Sequence, residues 1–163
     1  MSLTTAYIGV GSNLGDRKKA INDALKKLCS SSQICFIQSA PIYETDPVGG
    51  PTQGRFLNTV WEVETVFEAR ELLDFLLQIE TQCGRVRSEK NEPRMIDLDL
   101  LFFGDEVIRE PDLIVPHPRL PERWFVLKPM WDLSSDLVHP VLKKSICELL
   151  DQVHEGHQGS KTP

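Results

Sequence analysis

The chain has 163 residues and a formal net charge of −6, with 18 Lys and Arg against 24 Asp and Glu. This length suits one domain with a buried core, so we expect a single domain over 1–154 and a disordered tail over 155–163. The acidic balance disfavours a nucleic-acid-binding protein, and no apolar run approaches the roughly 20 residues that a membrane span needs.

The first predicted elements are a strand over 7–11 and a helix that begins after Asp16, a favourable N-cap residue. Five apolar residues then recur at helical spacing: Ala20, Ile21, Ala24, Leu25 and Leu28. The glycines around this turn follow the pattern G-x-G-x-x-x-G. That spacing is one residue longer than the dinucleotide-binding fingerprint, so it argues against a Rossmann site.

Two further strands are predicted over 34–45 and 57–64, on either side of a loop. Both segments are rich in β-branched and aromatic residues, whereas 46–54 contains two prolines and three glycines. Loops of this composition often cover binding sites. We therefore expect motion in this loop.

A second helix is predicted from the capping-box pattern Thr65-Val66-Phe67-Glu68 to Gly84, which suits the position after a helix C-terminus. Its apolar stripe contains Ala69, Leu72, Leu73, Leu76, Ile79 and Cys83. Glu80 is unusual because it falls on or beside this stripe rather than on the solvent face.

Segment 96–103 predicts a buried strand that nevertheless carries two carboxylates. Strand alternation places Ile96, Leu98, Leu100 and Phe102 on one face and Asp97, Asp99, Leu101 and Phe103 on the other. The Cα atoms of the two aspartates would lie roughly 6.5 Å apart. Their carboxylates would then repel at neutral pH unless a cation such as Mg²⁺ lay between them. The alternative is a strand end whose acids face water.

This order of elements predicts an α+β fold with a ferredoxin-like βαββαβ core, in which helices cover one face of an antiparallel sheet. Beyond Gly104, short strands over 106–108 and 113–115 and a helix over 145–153 are predicted. The core is therefore extended by C-terminal short strands and helices.

A basic cluster precedes the two aspartates. Arg85, Arg87, Lys90 and Arg94 fall within ten residues, and the chain has no P-loop motif to hold a nucleoside triphosphate. Guanidinium groups bind phosphates bidentately, although a solvated basic loop is the alternative. Arginines, paired acids and a Gly/Pro-rich loop together favour an enzyme of phosphoryl-type transfer.

Three further positions have both a structural and a functional interpretation. His117 could be a structural hydrogen bonder, or a donor to a phosphate or ribose, with Arg119 and Arg123 nearby in sequence. Trp124 and Phe125 could belong to the core or stack on a ring substrate. Asn58 could be part of a polar strand face, or its amide could read a heterocycle.

Six blocks follow one another along the chain: YIGVGSNLG at 7–15, YET at 43–45, FLN at 56–58, IETQCGRVR at 79–87, PRMIDLD at 93–99 and VPHPR at 115–119. Together they resemble the 6-hydroxymethyl-7,8-dihydropterin pyrophosphokinase family as far as about Val153. The resemblance implies a folate-synthesis enzyme that transfers the diphosphate of ATP to 6-hydroxymethyl-7,8-dihydropterin and releases AMP. It also implies two Mg²⁺ ions, and we expect a monomer without nucleic-acid or membrane partners.

The resemblance also implies roles for individual residues. Asp97 and Asp99 would hold the metal ions and form the catalytic set with Arg85 and Arg94. The pterin would contact Thr45, Asp46, Val48, Phe56, Asn58, Asp97 and Phe125. The nucleotide would contact Leu73, Glu80, Arg85, Arg87, Arg94, Leu100, His117 and Arg123.

The chain departs from the family pattern at several positions. Segment 88–93 lacks the Trp-Gly often found there and is one residue short, so its movement over the site is expected to differ. Phe56 replaces a frequent Tyr, and Asp112 and Pro118 replace the Arg and Tyr of some relatives. We expect weaker nucleotide affinity with the metal pair intact.

Two other functions remain open from the sequence. An RNA-binding ferredoxin-like module would need aromatic residues on basic strands, which the net charge disfavours. Another metal-dependent nucleotidyltransferase could use the same acid pair but would release inorganic diphosphate. The four cysteines form no Cys-x-x-Cys pair and the N-terminus resembles no secretory signal, so we expect reduced thiols and a cytoplasmic protein.

Overall fold

The computed structural model describes residues 2–13, 15–45, 55–84 and 96–156, with side chains as far as Val153. The described strands are β1 (Thr4–Ser12), β2 (Ile34–Ser39), β3 (Tyr43–Thr45), β4 (Phe56–Thr65), β5 (Asp97–Phe103), β6 (Ile108–Glu110) and β7 (Leu113–Val115). The helices are α1 (Arg17–Cys29), α2 (Ala69–Gln82), α3 (Trp124–Ser134) and α4 (Ile146–Gly156). A 3-10 turn over Leu120–Glu122 precedes α3.

The main sheet has the strand order β2-β4-β1-β5. The short strand β3 also pairs with β4, on the same side as β2 and beyond its end. Every neighbouring pair is antiparallel. With α1 and α2 as the two crossovers, this is the ferredoxin-like arrangement, which confirms the predicted fold. β6 and β7 form a separate hairpin.

One face of the sheet is covered by α1 and α2, as predicted. Alternate residues of β1 and β4 face these helices, and the core there includes Ile8, Trp61, Leu72, Leu76 and Ile79. Trp61 is 1% exposed, so the largest apolar side chain of this core is removed from water. Burial of this kind supplies most of the stability of an α+β domain.

The ends of the two crossover helices show one confirmed and one wrong prediction. Asp16 caps α1, because its side chain accepts the Lys19 amide at 3.1 Å. The capping box of α2 was predicted three residues too early, since Glu68 is the N-cap and its amide donates to Glu71. The hydroxyl of Thr65, the last residue of β4, instead donates to the Gln33 carbonyl at 2.8 Å.

The opposite face of the sheet is covered by α3 and α4. Tyr7, Val60, Leu101 and Phe102 from the sheet pack there against helix residues that include Leu127, Met130, Ile146 and Leu149. Helix α3 was not predicted, because Pro129 lies within it and its residues showed no clear apolar stripe. Trp124 packs at the margin of this second core.

A β-bulge in β5, the strand that carries Asp97 and Asp99, changes the alternation that was predicted for it. The register of β1 and β5 shifts between Tyr7 and Ile8, so Leu101 is an extra residue in β5. Phe102 consequently joins Leu101 on the α3/α4 face, and Phe103 packs on the α1/α2 face. The prediction that Phe102 shares a face with Leu98 and Leu100 was wrong.

Several predicted boundaries also change. Segment 34–45 is divided into β2 and β3, and β6 begins at Ile108 rather than at 106. The predicted strand over 113–115 is confirmed. Helix α4 continues to Gly156, which includes the first two residues of the predicted tail. Segments 46–54 and 88–93 and the remainder of the tail lie outside the described residues, and the single domain over 1–154 stays a prediction.

We expect His139 to make the stability of the fold depend on pH. Its Nδ1 accepts the amides of Val141 and Leu142 at 3.2 and 3.1 Å, and burial lowers its pKa from the ordinary 6.5. This contribution to the free energy of unfolding is present above pH 6.5 and is lost as pH falls through the folded pKa. Urea titrations at about pH 7 and about pH 5 should show a smaller pH dependence for His139→Asn than for the unmodified chain. An equal pH dependence in both would contradict this assignment.

Candidate active site

The two aspartates lie on the half of β5 that precedes the bulge. Asp97 pairs with Gly11 and Asp99 with Gly9 on the central strand β1. Leu98 and Leu100 between and after them are buried against α1 and α2, so alternation places both carboxylates on the opposite face. Both aspartates are partly exposed. The predicted side-by-side arrangement is therefore confirmed.

The glycines of β1 create the space in front of these acids. A methyl group on Gly11 would lie 3.3 Å from Oδ1 of Asn58 and 3.7 Å from the Phe56 ring. At Gly9 it would lie 3.3 Å from the Leu101 side chain. The sequence interpretation used these glycines to exclude a nucleotide fingerprint and as part of the YIGVGSNLG block, but not as partners of the aspartates. Their position opposite alternate acids was the signal that it missed.

The acid pair suits a hard divalent cation that completes its shell with other oxygen atoms. Mg²⁺ is commonly bound by one or two carboxylates together with water and substrate phosphates. In the described ranges of the chain, no group of three or more His, Cys, Asp or Glu side chains could hold a metal ion. Two carboxylates on one strand fit a cation that arrives with a phosphate ligand, because they leave most of an octahedral shell to other oxygen atoms.

An oriented amide faces the acid pair across Gly11. Asn58 lies opposite Gly11 in β4, so one line across the sheet contains Tyr43, Asn58, Gly11 and Asp97. The Asn58 Nδ2 donates to Thr45 Oγ1 at 2.7 Å, and both residues are buried. At two strand spacings, the Cα atoms of Asn58 and Asp97 lie roughly 10 Å apart. A flat heterocycle could lie over Gly11 between them.

One aromatic ring lies beside this space, and a second lies at the start of helix α3. The Phe56 ring lies near Gly11, and Phe125 is in the first turn of α3, which packs against β3 and β4. The guanidinium carbon of Arg123 lies 5.7 Å from the centre of the Phe125 ring, within cation–π range. Both rings are partly exposed, as expected for residues that can stack on a ligand.

His117 lies beside the acid strand, because its amide donates to the Leu101 carbonyl at 3.0 Å. Its Nδ1 accepts the Arg119 amide at 3.2 Å. Burial, with smaller contributions from Arg123 and Arg119 against Asp97, lowers the pKa of His117 to about 4. The imidazole is consequently neutral at physiological pH, and its Nε2 carries the proton as a hydrogen-bond donor.

Glu80 lies on the other face of the sheet, where its side chain contacts the backbone of β5. It is 2% exposed, and its Oε2 accepts the Leu98 amide at 2.7 Å. Leu98 is the residue between the two aspartates. The carboxylate on the apolar stripe of α2 therefore fixes the backbone from which both metal-binding candidates project.

The residues predicted to contact the nucleotide do not share one face. Leu73 and Leu100 pack with the α1/α2 core on the side of Glu80, whereas His117 and Arg123 lie near Asp97 on the opposite side. β5 forms an edge of the described sheet. A nucleotide that contacts both sets would lie along this edge. Asp46, Val48, Arg85, Arg87 and Arg94 are outside the described residues.

Comparison with known families agrees with this arrangement. A sequence model of the family described as 7,8-dihydro-6-hydroxymethylpterin-pyrophosphokinase (HPPK) matches residues 7–135. The chain belongs to this family. The HPPK match runs from Tyr7 in β1 to residue 135, so it includes β5, Asn58 and His117.

Two curated relatives show how the HPPK region occurs in nature. The 2-amino-4-hydroxy-6-hydroxymethyldihydropteridine pyrophosphokinase of Bacillus subtilis is 44% identical over 132 residues, which cover 81% of this chain and 79% of that protein. The folic acid synthesis protein fol1 of Pneumocystis carinii is 44% identical over 147 residues, which cover 90% of this chain. The aligned part is only 20% of fol1.

A solved structure shares the fold. The Plasmodium falciparum HPPK-DHPS crystal structure matches with a TM-score of 0.76 over 94% of this chain and 46% of that one, at 16% identity. At this identity the likeness concerns the fold. In the part of the chain that the structure describes, no helix is both long and apolar enough to cross a membrane.

Removal of the Glu80 carboxylate should destabilise the fold. Glu80→Leu leaves the buried Leu98 amide without this acceptor, which we expect to lower the free energy of unfolding by about 1–3 kcal/mol. Glu80→Gln keeps an acceptor oxygen and should lose less. Denaturant titrations measure both, with Gln78→Leu as the control because Gln78 is exposed on the same helix. Equal losses for Glu80→Leu and Gln78→Leu would contradict a role for this hydrogen bond.

Proposed function

We propose that this chain transfers the β,γ-diphosphoryl group of ATP to the hydroxymethyl oxygen of 6-hydroxymethyl-7,8-dihydropterin and releases AMP. The observation that carries the proposal is the line across the sheet in which Asn58 and Asp97 flank Gly11. It supports a reaction in which a heterocycle and a metal-bound phosphate meet over one glycine. Membership of the HPPK family supports the same reaction.

Asp97 and Asp99 would hold Mg²⁺ in this reaction, and we propose two ions. When bound with ATP, the metal would neutralise phosphate charge and help to orient the phosphate chain. The two carboxylates project from one face of a strand paired with β1, so their spacing is fixed by the sheet. Rigid placement matters because phosphoryl-type transfer depends mainly on positioning and charge neutralisation.

The pterin would be recognised by the amide of Asn58. Because Nδ2 donates to Thr45, the side-chain orientation is set, and Oδ1 lies above Gly11. A buried amide with a fixed orientation can distinguish the donors and acceptors on the edge of a heterocycle. Phe56 and Phe125 would contact the faces of the ring, with Asp46 and Val48 as further proposed contacts from the segment after Thr45.

The phosphates would be bound by positive and neutral donors around β5. Arg85, Arg87 and Arg94 are the proposed guanidinium ligands, and the neutral His117 would donate from Nε2 without adding charge. Leu73, Glu80, Leu100 and Arg123 would complete the nucleotide contacts along the edge of the sheet. We also propose that the chain is a monomer. We propose further that it acts in the cytoplasm, which the four free cysteines support.

We expect Asp97→Ala and Asp99→Ala to lower Mg²⁺-dependent AMP formation by at least about 100-fold, because each removes a metal-binding carboxylate. The measurement is chromatography of the products of ATP and 6-hydroxymethyl-7,8-dihydropterin. Asp105→Ala is the matched control, since Asp105 is an exposed acid in the turn at the other end of β5. Full activity in both active-site variants would contradict the proposal. Release of inorganic diphosphate instead of AMP would identify a nucleotidyltransferase.

Asn58→Ala should raise the KM for the pterin by about 10- to 100-fold, because it removes hydrogen bonds that read the ring. The KM for ATP should change by less than about threefold, since the proposed nucleotide contacts are elsewhere. Gln38→Ala provides the control, because it removes an exposed amide from the neighbouring strand β2. Equal increases in both KM values would show that Asn58 does not select the pterin.

A further inference from the structure

The short strand β3 is held from both faces of the sheet. On the α1 side, Nη1 of Arg17 donates to Glu44 Oε2 at 2.9 Å and to the Arg55 carbonyl at 2.7 Å. Nη2 of Arg55 donates to the Glu44 carbonyl at 3.2 Å. We call Arg17, Glu44 and Arg55 the flanking cluster, because Glu44 and Arg55 lie on the two sides of segment 46–54 in sequence.

A second contact holds β3 on the α3 side. The Tyr43 hydroxyl donates to Oδ2 of Asp132 in α3, and Lys128 lies 3.3 Å from Oδ1 of the same carboxylate. Burial and the neighbouring Asp132 raise the pKa of Tyr43 to about 12, so the phenol keeps the proton that it donates. Tyr43 and Glu44 are adjacent and therefore point to opposite faces of the sheet. This explains how the three-residue strand β3 contacts both α1 and α3.

These contacts meet at the residue that orients Asn58. Thr45 directly follows Glu44 and is the last residue of β3, and its hydroxyl accepts the Asn58 amide. A three-residue strand makes few backbone hydrogen bonds, so its position depends strongly on its side chains. The side chains of Arg17 and Glu44 are 31% and 41% exposed, and an ion pair this accessible contributes little to global stability.

We propose that Arg17 and Glu44 are positioning residues for the pterin site. They hold Thr45 where its hydroxyl fixes the Asn58 amide, and Tyr43 supports the same strand from the other face. This inference rests on the proposed function, because it assigns the cluster to the substrate that Asn58 would recognise. The ligand class is a planar heterocycle with donors and acceptors along one edge.

The test compares four variants in steady-state assays: Arg17→Met, Glu44→Gln, their double variant and Lys19→Met. Lys19→Met is the matched control, because it removes an exposed ion pair of 2.9 Å to Asp23 from the same helix. Arg17→Met should raise the pterin KM about fivefold, and Glu44→Gln, which keeps an acceptor oxygen, should raise it by less, while the ATP KM and kcat change by less than about twofold. The double variant should resemble Arg17→Met, because removal of the Arg17 guanidinium already breaks the ion pair with Glu44.

Tyr43→Phe provides an independent test from the other face, since it removes only the hydroxyl that contacts Asp132. It should also raise the pterin KM more than the ATP KM. Thermal unfolding of each variant separates positioning from loss of the fold. The proposal would be overturned if a variant lowered kcat and the melting temperature and raised both KM values by the same factor.

The Asn58→Ala variant distinguishes the two levels of the hypothesis. A raised pterin KM in Asn58→Ala with unchanged values in Arg17→Met, Glu44→Gln and Tyr43→Phe would overturn the positioning role and leave the proposed function standing. Unchanged pterin KM in Asn58→Ala would overturn the assigned pterin contact, and the positioning role with it. A pterin-specific increase in the cluster variants, absent from Lys19→Met, is the expected result.

Discussion

The backbone pairing of β1 with β4 on one side and β5 on the other is the constraint on which the site depends. It places Gly11 between Asn58 and Asp97 and sets Gly9 opposite Asp99. A one-residue slip would turn both acids toward α1 and α2 and bring leucines to the open face. The apolar residues that alternate with the acids therefore protect the register, because they are buried in the larger core.

The bulge at Leu101 divides β5 into two parts with different environments. Before it, alternate residues are partly exposed acids, and after it every residue is buried because both faces are covered by helices. The extra residue also provides the carbonyl that accepts the His117 amide. One strand can thus supply a polar site at one end and join two apolar cores at the other.

Local patterns predicted the parts of the molecule that short-range chemistry determines. The Asp16 cap, the two crossover helices and the common face of Asp97 and Asp99 follow from spacings of two to four residues. The bulge did not, since an apolar run at 100–103 satisfies either alternation equally well. Helix α3 was missed because burial against the sheet outweighs an internal proline. Arg17 meets Glu44 and Arg55 across 27 and 38 residues, which no local pattern encodes.

The neutral imidazole of His117 has a consequence for the charge of the site. With its pKa near 4, this group contributes a directional donor but no change of charge around neutrality. In the proposed reaction, the field at Asp97 and Asp99 would then be set by the proposed arginine ligands and by the cations that accompany the nucleotide. Ionic strength, which screens these charges, would consequently affect nucleotide capture more than moderate changes in acidity.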